Sequence, residues 1–254
     1  MPPVSWRKRW DRRSVWVVCY SALTRQTRKS DGLSHIERVA GALAVLCLAM
    51  LALLAGKPSF TNASRPQHGI SDPSIALEVA RSLDDVDFIL GEAPSPDREV
   101  MRIKQYIDLG FIASLTGLFL TLGWMLMGQG TWGRVAGPAA MVCAVATAVF
   151  DLIEKRAILR ILDVSLLQTT PAMINAIRSA SAATWALAAL TLALLSSLYR
   201  RSPVGVLLLV TAAMEIYGLH DNRFLVWQIY PALAALVGIA VKLLLWNFPH
   251  ESSS

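Results

Sequence analysis

Six apolar stretches constrain this chain more than any other feature. A helix that crosses a bilayer needs about 20 mostly apolar residues. Runs approaching that length occupy residues 39–55, 109–128, 135–150, 179–199, 203–219 and 224–248. Inside hydrocarbon every backbone N–H and C=O must be bonded within the protein, which leaves helices or closed barrels, and no alternating strand pattern is evident. Charged residues make up 17% of the chain, against about 25% in soluble domains. The expected fold class is therefore all-α, a polytopic transmembrane helical bundle of six spans.

The runs group into three regions. Residues 1–38 form a basic tail with nine Lys or Arg. Residues 39–199 form a four-helix transmembrane core that includes an outer segment, 57–108, and residues 203–248 add a C-terminal pair of helices. The basic leader is too long for a signal peptide and no small-residue cleavage site closes the first run, so that run is read as an uncleaved anchor. Trp6, Trp10 and Trp16 alternate with arginines in the tail. This places the tail within reach of anionic lipid rather than nucleic acid. The excess of Lys and Arg in the tail and in "YRRS" at 199–202 puts the N-terminus in the cytoplasm and segment 57–108 outside, on a plasma (inner) membrane. Lys155, Arg156 and Arg160 run against that rule.

The outer segment carries helix signals. Asp72-Pro73 and Ser95-Pro96 each pair an N-cap residue with proline at the first helical position. Ile75, Val79, Leu83, Val86 and Leu90 then recur at helical spacing, so one acidic amphipathic helix is expected between spans one and two. The second start signal is expected to run on into span two. "NAS" at 62–64 fits a glycosylation acceptor only in a eukaryotic secretory setting. Gly133 and Gly137 form a small-x-x-x-small pair suited to close helix packing.

Charges at the ends of the spans raise the functional question. At 1.5 Å per residue, Asp151 lies about 24 Å along a helix begun at Val135, and Glu215 about 18 Å along one begun at Pro203. Both fall in the outer half of the membrane, where Asp108 opens the second span and where His220, Asp221 and Arg223 also lie. A helical wheel puts Asp151, Glu154 and Lys155 on one side and Arg156, Arg160 and Asp163 on the other. Carboxylates near hydrocarbon turn toward the bundle interior. The expectation is a polar intramembrane cluster of Asp108, Asp151, Glu154, Lys155, Glu215 and His220, with Asp151, Glu154 and Glu215 facing one another across the third and fifth spans. The competing reading of the same residues is a set of interfacial charges that neutralise one another and stop the helix.

"YIDLGFIASL", with Asp108 and Phe111, and "FDLIEK", with Asp151 and Glu154, resemble a group of uncharacterised bacterial inner-membrane proteins. In these a D-x-x-F motif opens the second span and D-x-x-E-N closes the third. The resemblance covers about residues 39–199 and implies a four-helix core and a bacterial origin, with no activity attached. Lys155 stands where the pattern has asparagine, so no role of that amide carries over.

Enzymatic readings find little support. No nucleophile elbow and no H-E-x-x-H is present. Of His35, His68, His220 and His250, only His220 has acidic neighbours in sequence. Three scattered cysteines imply neither a disulfide framework nor a zinc site, and no cofactor motif appears. The leading expectation is a non-enzymatic membrane protein that binds or passes a small ligand, ion or lipid at an outward-facing polar site. The alternatives are a structural or regulatory subunit that meets partners through its outer helix and basic tail, and thirdly an intramembrane lipid-modifying enzyme.

Overall fold

The computed structural model describes residues 35–56, 58–61, 70 and 72–245. The tail tryptophans, the "NAS" sequence and residues 246–248 of the last run lie outside the described residues. Among the described residues the chain is an all-α bundle. In order, the helices are α1 (His35–Ala55), α2 (Pro73–Glu78), α3 (Leu83–Leu90), α4 (Pro96–Met127), α5 (Gly130–Leu162), α6 (Pro171–Ser196), α7 (Pro203–Gly218), α8 (Arg223–Trp227) and α9 (Ile229–Leu245). Five helical segments, α1, α4, α5, α6 with its 3₁₀ extension to Tyr199, and Arg223–Leu244, are long and apolar enough to cross a membrane. The sixth, α7, is a shorter apolar helix of 16 residues.

One local device starts four of these helices. Asp72-Pro73, Ser95-Pro96, Thr170-Pro171 and Ser202-Pro203 each place a side-chain acceptor on a free backbone N–H and a proline at the first turn. Thr170 therefore starts α6 eight residues before the apolar run that betrays it in the sequence. The amphipathic stretch 73–90 is two helices rather than one. Ser82 caps a second start by accepting from Asp85 N at 3.1 Å, and the Asp85 carboxylate accepts from Ser82 N and Arg81 N. This capping box outcompetes continuation of α2.

The long helices lie side by side in chain order from α4 through α5, α6 and α7 to α9. Packing of α1 against both ends closes the circuit, with Leu43 over Gly117 of α4 and Gly41 under Leu244 of α9. Helices α4 and α5 have 32 and 33 residues, about 48–50 Å, which exceeds a hydrocarbon core of about 30 Å. Their surplus projects on one side, with α2, α3 and α8, as a cap. Exposed Tyr106 and Trp124 on α4 lie about 27 Å apart along the axis, the spacing of aromatic belts at two membrane interfaces.

Two apolar cores follow from this division. The membrane-level core joins Ala40, Ala44, Leu122, Ala140, Leu195 and Leu208 with neighbours from α9. The cap core joins Leu77, Val86, Met101, Ile158, Ile177 and Leu225 with others from the same elements. Cations fasten the cap by closing helix ends. Arg98 donates to Ile161 O at 2.9 Å and Val164 O at 2.8 Å at the end of α5, and Lys104 donates to Leu54 O and Gly56 O at the end of α1.

The far end of the α4–α5 hairpin depends on glycine. A Cβ at Gly137 would lie 2.6 Å from Gly123 O and 2.5 Å from Met127 Cγ, and one at Gly133 would lie 2.0 Å from Leu126 O. The small-x-x-x-small reading thus acquires a partner helix. Forced overpacking of this kind costs about 1–3 kcal/mol, so Gly137→Leu should lower the unfolding free energy of the detergent-purified protein by about that amount and its unfolding midpoint with it. An unchanged midpoint would show that the helices do not meet here.

Candidate functional site

Lys155 lies where the two cores meet. On α5 the membrane-level core ends at Ala144 and the cap core begins at Ile158. Between them, after the buried Thr147, come Asp151, Glu154 and Lys155, on the face the helical period assigns to the interior. Arg156, Arg160 and Asp163 on the opposite side are exposed. Leu152 and Ile153 are exposed too, which gives this level of α5 one apolar outer face and one charged inner face.

The Lys155 ammonium is 2.8 Å from Asp108 Oδ2, 2.8 Å from Glu154 Oε1, 3.4 Å from Asp151 Oδ1 and 3.6 Å from Glu78 Oε1. One cation therefore holds together four carboxyl groups from three helices: α2, α4 and α5. The side chains of Lys155 and Glu154 are 6% and 2% exposed, whereas those of Asp108 and Asp151 are 20% exposed. The site is closed at its centre and reached by solvent at its edge. A full set of ionised carboxylates would leave three uncompensated negative charges, and desolvation of even a paired charge costs several kcal/mol. The arrangement consequently favours binding of protons or of another positive charge. Burial pushes the Glu78 carboxyl well above the usual range, and the Glu154 charge adds to the rise while Lys155 opposes it.

Four of the six residues expected from the sequence come together here: Asp108, Asp151, Glu154 and Lys155. Glu215 and His220 do not join them. Glu215 is buried on α7 with no ion pair among the described residues, and its Oε2 has no hydrogen-bond partner. His220 is exposed in the turn after α7. The expectation that Asp151, Glu154 and Glu215 face one another is thereby corrected. The face of α7 that carries Glu215 turns toward α8 and α9, where Gly218 meets Leu225 and Val204 meets Gly238.

Glu78 is the member that the sequence reading missed. It follows Ile75 by three residues and so falls on the apolar stripe of its helix, where a charge needs a buried partner. Among the described residues no three of His, Cys, Asp and Glu form a group able to hold a metal ion. Comparison with known proteins finds no matching family model, no similar curated protein and no similar solved structure.

Two outcomes test this geometry. Removing the shared cation with Lys155→Met leaves buried carboxylates facing one another and should cost about 3–5 kcal/mol. A second change, Glu154→Gln, should restore part of the loss, and chemical denaturation of the three proteins measures both effects. For Glu78 the folded value lies above the unfolded one, so its contribution to stability is complete below the ordinary glutamate range and is lost as pH rises through the raised value. The stability of Glu78→Gln relative to the wild type should therefore grow with pH across that window. A difference independent of pH would show that Glu78 is not held in this environment.

Proposed function

We propose that this protein is a non-enzymatic integral membrane protein that binds or passes a small ligand or ion at the polar site around Lys155, with the cap side facing outward and the N-terminus in the cytoplasm. The observation that carries this reading is the excess of four carboxyl groups over one ammonium, with Glu78 and Glu154 buried and Asp108 and Asp151 partly exposed. A purely structural tie needs one partner for Lys155. Three further carboxyls raise the electrostatic cost of folding, and buried ionisable groups at membrane depth are characteristic of ion and substrate pathways. Outward orientation is supported by the excess of Lys and Arg in the N-terminal tail and in Arg200-Arg201. A bacterial inner-membrane setting rests on the resemblance of the motifs around Asp108 and Asp151.

A second reading, a subunit that meets partners through its cap, is favoured by one observation. Leu167, in the loop after α5 and beside α3, is 98% exposed, although it is a large apolar side chain.

Cysteine labelling separates these readings. In a background lacking native cysteines, Ser95→Cys and Asp151→Cys are each treated with a small membrane-impermeant cationic thiol reagent in intact cells and in inverted vesicles. Both positions should react in intact cells, with Asp151→Cys the slower of the two. Reaction of Ser95→Cys only in inverted vesicles would reverse the orientation, and an Asp151→Cys that reacts from neither side would remove the ligand site.

A further inference from the structure

We infer that Glu215 and Gln228 form a second intramembrane site, separate from the Lys155 group, that takes a small monovalent metal cation.

The argument starts from the register of the last helices. A Cβ built on Gly218 would lie 2.5 Å from Leu225 Cδ2, and one on Gly238 would lie 2.7 Å from Val204 Cγ2. Helices α7 and α8–α9 therefore run antiparallel, with Gly218 facing Leu225 and Val204 facing Gly238. One turn back from Gly218 on the same face is Glu215, and one turn on from Leu225 is Gln228. This pairing brings the two residues level. Both lie on the stripes that the helices turn toward each other. On α7 the buried positions Val204, Leu208, Thr211, Glu215 and Gly218 follow a single stripe, and on the partner Leu225 and Gln228 precede Leu236, Ile239 and Leu243.

The chemistry of this level is unbalanced. Glu215 is 7% and Gln228 3% exposed, and Glu215 Oε2 and Gln228 Oε1 are both buried without a hydrogen-bond partner. Two acceptor oxygens, one on a carboxyl group, are thus left at one depth with no hydrogen-bond donor on either. No Lys, Arg or His forms an ion pair with Glu215 among the described residues. Its nearest cationic neighbours in sequence, His220 and Arg223, are exposed. One turn farther in on the same stripe, the Thr211 hydroxyl gives its hydrogen to Leu207 O at 2.8 Å, which leaves its lone pairs available.

The backbone supplies a matching feature. The last span keeps helical backbone angles through Gln228, the one residue between α8 and α9. Pro231 has no N–H to set against the Trp227 carbonyl, so a continuous helix would leave that oxygen short of its donor. Carboxylate, amide and hydroxyl oxygens are the donor set of a hard cation. A single carboxylate matches a single positive charge, which selects a monovalent ion over a divalent one.

The test uses the full chain purified in detergent, in a sodium- and potassium-free buffer with N-methylglucamine as the only counter-ion. Adding NaCl or LiCl should raise the melting temperature with the logarithm of the cation concentration, while N-methylglucamine chloride at equal ionic strength should not. Glu215→Gln and Gln228→Leu should each abolish the rise, and Asp108→Asn in the Lys155 group should retain it. If Glu215→Gln does not fold, Gln228→Leu and Thr211→Val read the same loss. A wild type with no cation-specific rise overturns the inference. So does a rise that survives in Gln228→Leu, or one that Asp108→Asn alone removes, which would place the ion at Lys155. Stabilisation that follows pH and ignores sodium and lithium also overturns it, because Glu215 would then carry a proton in place of a metal.

Discussion

The rest of the structure is arranged around one buried ammonium. Lys155 draws Glu78 of the cap, Asp108 of α4 and two carboxyls of its own helix to a single point, and it does so at the level where membrane-facing packing gives way to cap packing. An apolar core alone would let the cap slide on the bundle, since hydrophobic contact has no direction. Charge-assisted contacts with fixed partners remove that freedom. They fix the rotation of α5 as well, because its acidic face and its exposed arginines cannot exchange places without burying unpaired charge.

Sequence patterning anticipated most of the fold because the signals involved are local. Runs of apolar residues fix where spans lie, and a serine, threonine or aspartate before proline fixes where helices begin. The inward face of Asp151, Glu154 and Lys155 follows from 3.6-residue periodicity alone. Contacts between distant segments were not legible in this way. Glu78 lies in a six-residue helix whose stripe reads as ordinary cover, and nothing local ties it to Lys155. Glu215 was given the wrong neighbour, because the neighbour depends on how α7 is rotated and counting residues along one helix does not supply that rotation. The capping box at Ser82, serine with aspartate three positions on, breaks the stretch in two although the apolar period runs through it.

The α7–α9 hairpin shows how small residues and polar ones divide the work of packing in this chain. Gly218 and Gly238 allow α7 to approach its partner closely at two levels, and Glu215 and Gln228 lie on the facing stripes between them. The polar pair thus owes its position to the glycines beside it. At the far end of α4 and α5 a similar close approach sets Gly137 against Gly123 and Met127.

The make-up of the cap core has a consequence for how the molecule is assembled. Its members run from Phe60 to Leu225, so the surface under α2 and α3 is incomplete until α8 has been synthesised and its span begun. During translation Glu78 can meet α4 early, but the pocket that encloses it closes only when α5 and α6 have been threaded through the bilayer in the correct direction. An inverted hairpin would leave Lys155 on the wrong side of the membrane and Glu78 without its cation. Burial of Glu78 beside its cation therefore depends on all of these segments being in place.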